Sequence, residues 1–512
     1  MDKKILRWNF VFQYGWVLTN IFNSLLLLPL YLKNIDKDSL GIWLATGNIL
    51  GWMTMVDPGV GEVLQQKIAE LRGQKKHYEI GKTIGSGFLA SGIILLLAFG
   101  LGLVCYSFAG RLIDKDISAY GNLPMALVIS VVATGLSLVS FSLSGINQGL
   151  HNSAQVAICS ITANFLFLFV NLVLLYQGFG VMSIALANLC RALYINIHNL
   201  ISLFKVLREQ YLRPVFEWLH FKKFIRIFSF TSASKIITGL SYSVDMIVLA
   251  RYIPPAMIAI FEINKRPVNV AYSLIGRHSV ALMPLISHAK GSGDKGSILQ
   301  LLTRQLRIYG YATVFVSLLF CFNYDYLISA WTGKENFIGH LVAYLLVAGF
   351  FLSLFSYFMA IVGYALGDIK MNSVYNILRN IFFGVLMYFA ARNYGIVGTL
   401  VVSIAITLLA DLFFYTYRLH RLGYMDGALL KSAFRYWPLL LPLSVLAGWG
   451  LKALFASLVP EGLYFNKLLL NTGFFSFFFL ALVLLIDPSW RQGAKSLATR
   501  YVITPIYKYI RA

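Results

Sequence analysis

The chain has 512 residues, 58% of them hydrophobic and 12% charged, with a mean hydropathy of +0.71. Soluble proteins carry about 25% charged and 45–50% apolar residues, so this composition excludes a soluble enzyme, a disordered chain and a fibrous protein. It leaves a polytopic membrane protein, and the net charge of +22, from 43 Lys plus Arg against 21 Asp plus Glu, needs a cause on those terms.

A helix crosses the hydrocarbon in about 20 residues. Fourteen apolar segments are predicted, at 9–32, 41–66, 83–109, 122–146, 154–176, 180–204, 227–250, 257–287, 303–330, 338–365, 372–391, 395–417, 436–458 and 466–486. The fold class is therefore all-α, with about 14 transmembrane helices. Nothing alternates as barrel strands do. The start, Met1-Asp2-Lys3-Lys4, leads into a span that reads as retained rather than as a cleaved signal. Cys105, Cys159, Cys190 and Cys321 lie in apolar stretches without metal-ligand spacing, so no zinc site or disulfide framework is expected.

Loop charge gives the orientation. Of the 43 basic residues, 29 fall on or near the side of the termini, 9 on or near the other side and 5 deep within spans (Arg191, Lys235, Lys265, Arg266 and Arg277). The positive-inside rule puts both termini in the cytoplasm. This asymmetry explains most of the net charge without nucleic acid as a partner. The basic connection 211–225 divides the chain into an N-terminal lobe (1–210, spans one to six), a C-terminal lobe (226–422, spans seven to twelve) and an extra pair with a basic tail (423–512). A faint repeat supports the division. Gly149-Leu150-His151-Asn152-Ser153 opens span five and Gly178-Phe179-Gly180 ends it. Gly367-Asp368-Ile369-Lys370-Met371-Asn372-Ser373 opens span eleven and Gly395-Ile396-Val397-Gly398 follows it. Transporters built from duplicated halves place their site where the halves meet.

Charges inside a membrane are expensive and face a cavity or a partner. Span one carries Asn9, Gln13 and Asn20 on one face, suited either to a hydrophilic substrate or to neighbouring helices. In span two, Asp57-Pro58-Gly59 should break the helix. There Asp57 either takes a proton or cation, or caps the broken end. Span five contributes Asn164 and Asn171, and span six Asn188, Arg191, Tyr194 and His198. Span seven holds Lys235 and Asp245, the latter a counter-ion or a functional group. Span eight is the most informative: Glu262, Arg266, Asn269, Ser273 and Arg277 step by three or four, so they share one face, with Lys265 beside it. Pro267 and Pro284 should kink this helix. Its three cations against one anion read either as a cationic cavity or as partners of Asp245, Asp57 or backbone carbonyls. Arg379 and Asp411 are single charges in spans eleven and twelve. No GxxxxGK[ST] loop, His/Cys cluster or nucleophile elbow is present, so no ATP-driven pump, enzyme or cofactor is expected.

Several motifs taken together resemble the polysaccharide transporter family, which includes the O-antigen flippases, in the multidrug/oligosaccharidyl-lipid/polysaccharide (MOP) exporter superfamily. They are Leu28-Pro29-Leu30-Tyr31-Leu32, Leu40-Gly41-Ile42-Trp43, Asp57-Pro58-Gly59-Val60, Asp245-Met246-Ile247-Val248-Leu249, Ala281-Leu282-Met283-Pro284-Leu285-Ile286-Ser287, Ala365-Leu366-Gly367-Asp368-Ile369-Lys370 and Gly395-Ile396-Val397-Gly398-Thr399. The resemblance covers about residues 10–420. It implies two six-helix lobes about a central cavity, with the pair at 436–486 added to the twelve spans common in O-antigen flippases. It implies movement of a lipid-linked oligosaccharide on a polyprenyl pyrophosphate from the cytoplasmic to the outer leaflet of a bacterial inner membrane. Polysaccharide polymerase or glycosyltransferase partners follow from the same resemblance. Arg266, Lys265, Arg277, Lys235 and Arg191 would supply cations for the pyrophosphate, and Asn9, Gln13, Asn20, Asn164, Asn188 and Asn269 would line a polar cavity for sugars. Asp57, Asp245 and Glu262 are the candidate coupling or counter-ion carboxylates. A multidrug antiporter of the same superfamily would favour an acidic cavity instead. A membrane polysaccharide polymerase would show large soluble loops.

Overall fold

The structure is a computed structural model. It describes residues 25–51, 53, 56–57, 59–150, 152–225, 244–291 and 295–492, together with 19, 22 and 23. Among the described residues there is no β-strand, and nine helices are long and apolar enough to cross a membrane. One of the nine, Met371–Arg421, holds two predicted spans, because Gly395 at φ 56° interrupts it. Glycine alone takes that conformation without a Cβ clash. The protein is an all-α polytopic membrane protein.

The described helices fall into two compact units. One holds the chain to Glu262 together with Tyr375–Thr399; the other holds Ile263–Val374 and the chain from Leu400 onward. The first contains α1 (Leu25–Asn34), α2 (Lys37–Gly51), α3 (Val60–Gly73), α4 (His77–Ile113), α5 (Leu123–Gly149), α6 (Ser153–Tyr176), α7 (Val181–Glu209) and α8 (Val244–Tyr252).

In the first unit α5 packs against α3, α4 and α7 and buries Leu127, Leu138 and Ile146. Apolar burial alone does not drive helices together in lipid, so hydrogen bonds and close packing fix the register. Asparagines supply them. The Asn147 amide donates to the carbonyls of Leu143 (3.0 Å) and Asn199 (2.9 Å). The Asn196 amide donates to the carbonyls of Leu136 and Ala192, both at 2.8 Å. The Asn199 amide donates to the Ser144 hydroxyl at 3.0 Å. The basic connection after α7 lies directly on α4. Val215 N–H donates to the Gly81 carbonyl at 3.0 Å, and a Cβ at Gly85 would stand 2.1 Å from the Val215 carbonyl oxygen. Lys82 then pairs with Glu217 at 2.8 Å.

The second unit contains most of α9 (Pro255–Gly291), α10 (Lys295–Thr332), α11 (His340–Ala365), both ends of α12 (Ile369–Ile406), α13 (Leu412–Arg421), α14 (Gly427–Ala433), α15 (Trp437–Leu458) and α16 (Tyr464–Ile486). The prolines expected to kink span eight do not end it: α9 runs as one helix of 37 residues through Pro267 and Pro284. The C-terminal pair, α15 and α16, packs on α10 through Tyr311, Val314, Phe322, Leu440, Phe475 and Phe479. Ion pairs pin this contact at two levels. Lys452 meets Asp325 at 3.0 Å, and Arg307 lies 3.5 Å from Asp487. Asp325 and Arg307 are 18 residues apart on α10, a separation of about 27 Å in an α-helix, close to the thickness of the hydrocarbon. The locks therefore sit near opposite surfaces, where charge is tolerated.

Candidate functional site: the polar stripe of α9

One side of α9 is buried. Phe261, Asn264, Val268, Ser279, Leu282 and Ile286 are buried. The Asn264 amide donates to the Asn336 carbonyl at 2.7 Å, and its backbone carbonyl accepts from the Tyr324 hydroxyl. The opposite side carries the stripe read from the sequence. Glu262 and Arg266 are half-buried, as is Lys265 next to them, and Asn269, Ser273 and Arg277 are exposed. Glu262, Lys265 and Arg266 all have interaction partners. The Ser273 hydroxyl donates to the Asn269 backbone carbonyl at 2.9 Å. One helix thus brings together five of the named residues (Glu262, Lys265, Arg266, Asn269 and Arg277) with a surplus of two positive charges.

The other candidates lie elsewhere. Arg191 is half-buried on α7, its guanidinium over the Phe167 ring at 5.2 Å, a placement that offsets part of its desolvation. Asn188 is half-buried one turn earlier. Asn164 is 3% exposed and acts as a tie: its amide donates to the Thr19 hydroxyl at 3.1 Å, and its carbonyl accepts from the Asn23 amide at 2.9 Å. Asp57 takes the capping geometry. Its Oδ1 accepts from the N–H groups of Gly59 and Val60, both at 3.0 Å, at the start of α3. It also lines a cavity of about 270 Å³ with Gln65, Ser144 and Gln148. Asn9, Gln13, Asn20 and Lys235 lie outside the described residues, as does the side chain of Asp245. Among the described residues, no group of three His, Cys, Asp or Glu side chains is placed to hold a metal ion.

Two features were not anticipated. Asn147, Asn196 and Asn199 form the α5–α7 ladder; the three-residue spacing of Asn196 and Asn199 on α7 was visible, but not their partners. Asp411, 6% exposed, closes a π-helical turn at Thr407–Asp411. Such turns widen a helix locally and recur at functional sites, and no local residue pattern marks this one.

The described site is thus a polar, cationic stripe on one long helix of a helical membrane protein. A family profile described as "Polysaccharide biosynthesis protein" matches residues 89–335. Three solved structures share the fold at low identity. The lipid II flippase MurJ in an inward closed conformation aligns with a TM-score of 0.66 at 15% identity, covering 93% of this chain and 99% of that one. An inward-facing multidrug resistance MATE family transporter of the MOP superfamily aligns at 0.59 and 15%, covering 80% and 96%. A MOP superfamily transporter from Pyrococcus furiosus, described by the reverse polarity of its binding pocket, aligns at 0.53 and 14%, covering 82% and 96%. No curated protein shows a significant sequence match. The family profile covers just under half of the chain, and the solved structures show that the chain shares their fold.

Proposed function

We propose that this chain is a flippase that moves a lipid-linked oligosaccharide, carried on a polyprenyl pyrophosphate, from the cytoplasmic to the outer leaflet by alternating access. In this reading it serves synthesis of a cell-surface polysaccharide, in a bacterial inner membrane with both termini cytoplasmic. Membrane lipids surround it, and a polymerase or glycosyltransferase supplies or consumes the cargo. The observation that carries the reading is the exposed stripe of α9 that ends at Arg277.

A charged stripe facing acyl chains is costly, whereas the same stripe facing water and an anionic ligand is favourable. A pyrophosphate needs several donors in fixed geometry. Arginine supplies them bidentately, and lysine adds a mobile ammonium. Asn269 and Ser273, between the cations, suit sugar hydroxyls. One structural neighbour is a lipid II flippase, which supports a lipid-linked cargo. Another is described by reversed pocket polarity, which supports reading cavity charge as a variable on this fold. A cationic stripe disfavours the positively charged drugs of a multidrug antiporter.

The test is binding to purified protein. A polyprenyl-pyrophosphate oligosaccharide should bind, and Arg277→Ala combined with Lys265→Ala should weaken it at least tenfold, while Arg208→Ala should not. Equal binding by all variants removes the stripe from the site. Drug-for-cation exchange in vesicles transfers the assignment to the antiporter, and new glycosidic bonds made by the chain transfer it to a polymerase.

A further inference from the structure

A cavity of about 980 Å³ lies within the second unit, between α10, α14 and the end of α16. It shares no residue with the α9 stripe. Its lining changes character along both long helices. On α16 it starts at Leu480 and Leu484, inside the apolar span, and continues past the helix end to Ser489 and Trp490. On α10 it runs from Ile308 outward to Arg304 and Thr303. The apolar part therefore sits at acyl-chain depth and the polar part at headgroup depth, with Trp490 in the position of an interfacial aromatic.

The polar part is cationic. Arg307 is held in place: it lies 3.5 Å from Asp487, donates to the Ser432 carbonyl at 2.8 Å and stacks on the Tyr436 ring at 5.6 Å. Its buried Nε–H has no acceptor among the described residues. Arg435 lies against the same ring at 5.8 Å. Arg304 is exposed on the cavity wall and makes no ion pair among the described residues. Asp426 also lines the space, but its Oδ1 accepts from Leu429 N–H at 2.7 Å to cap α14. Lys431 on α14 and Arg491 after α16 add to the positive surplus.

We infer that this cavity binds an anionic phospholipid, its phosphate at the exposed Arg304 beside Arg307 and its acyl chains along Leu480 and Leu484. Both requirements of such a ligand are met in one space: a fixed guanidinium cluster at headgroup depth and an apolar channel below it. The site falls on the side of the membrane richest in Lys and Arg. It ties the C-terminal helix pair to α10 through a bound lipid as well as through the Arg307–Asp487 lock.

The experiment is native mass spectrometry of the delipidated full chain, titrated with dioleoyl phosphatidylglycerol or dioleoyl phosphatidylethanolamine. Phosphatidylglycerol should bind at least tenfold more tightly. Arg304→Glu should abolish that preference, and Leu484→Trp should lower occupancy by filling the apolar end. Arg208→Glu, an exposed charge reversal in the other unit, should change neither. Equal binding of the two lipids overturns the proposal, as does wild-type binding by Arg304→Glu. Equal loss in Arg208→Glu overturns it by showing general surface attraction. Displacement of phosphatidylglycerol by a polyprenyl phosphate, sensitive to Arg304→Glu, also overturns it by giving the cavity to a carrier lipid.

Discussion

At the α5–α6 turn, Arg72 Nη1 donates to the Leu150 carbonyl at 2.7 Å, and the Asn152 amide donates to the Ser202 hydroxyl at 2.7 Å. At the α11–α12 turn, Lys290 Nζ donates to the Leu366 carbonyl, and Arg418 grips Asp368 with two hydrogen bonds of 2.7 and 2.8 Å. The plan is the same in both units. A cation near the C-terminal end of the helix two before the pair, α3 or α9, covers a carbonyl left unpaired at a helix C-terminus, where the dipole favours positive charge. A side chain from a later helix then holds the following residues. The chemistry of that second contact differs, being a neutral amide–hydroxyl bond in one unit and a bidentate ion pair in the other. Equivalent joints of a repeated architecture can thus keep their geometry while differing in strength, the ionic one being much harder to break.

The largest effect expected from this comparison is for Arg418→Ala. It strands the Asp368 carboxylate, whose side chain is 8% exposed, at a cost of roughly 2–4 kcal/mol, between that of a surface pair and that of a fully buried one. Thermal unfolding in detergent measures it, and neutralising both partners with Asp368→Asn and Arg418→Gln should recover part of the loss. Next come Arg72→Gln and Lys290→Gln, each removing one charge-assisted bond worth about 1–2 kcal/mol. Near-equal losses are expected, since both cations do the same work. Ser202→Ala should cost only about 1 kcal/mol. A loss as large as that of Arg418→Ala would break the distinction between the two joints.

The smallest effect is a pH response confined to the first unit. Hydrogen bonding and charge from Lys82 hold the Glu217 carboxyl below the usual carboxylate range, and burial lowers the His220 imidazole. Both folded values are depressed, so both contributions are present above the unfolded values and are lost as the pH falls. His220 charges first, below about 6.5, and Glu217 is protonated later, below about 4.3. Hydrogen exchange across 211–221 should quicken over that window, while the α11–α12 turn stays protected. Unchanged protection of 211–221 down to about pH 3, well below the ordinary carboxylate value, would contradict the role given to Glu217.

Most of the fold was readable because each span is its own signal. The apolar windows, the Asp57-Pro58-Gly59 break and the turns at Gly178 and Gly395 are local features. The stripe of α9 was readable for the same reason, as one helix carries its whole spacing. What involves two distant segments was not. Asn164 read as lining a polar cavity for sugars, and the partners that make it a tie, Thr19 and Asn23, lie more than 140 residues away. Asp368 appeared as part of a motif, without its partner Arg418. The phospholipid cavity draws on three stretches of chain, none of which marks it alone.

In the proposed function, the α9 stripe carries an anionic lipid-linked glycan across the membrane. The most direct measurement is transbilayer movement of a fluorescent polyprenyl-pyrophosphate oligosaccharide in proteoliposomes, read by protection from an external quencher. Wild-type protein should move it, and Arg277→Ala combined with Lys265→Ala should slow movement at least tenfold at equal incorporation. Movement at the wild-type rate by that variant, or none by the wild type while drugs are exchanged for cations, would contradict the account.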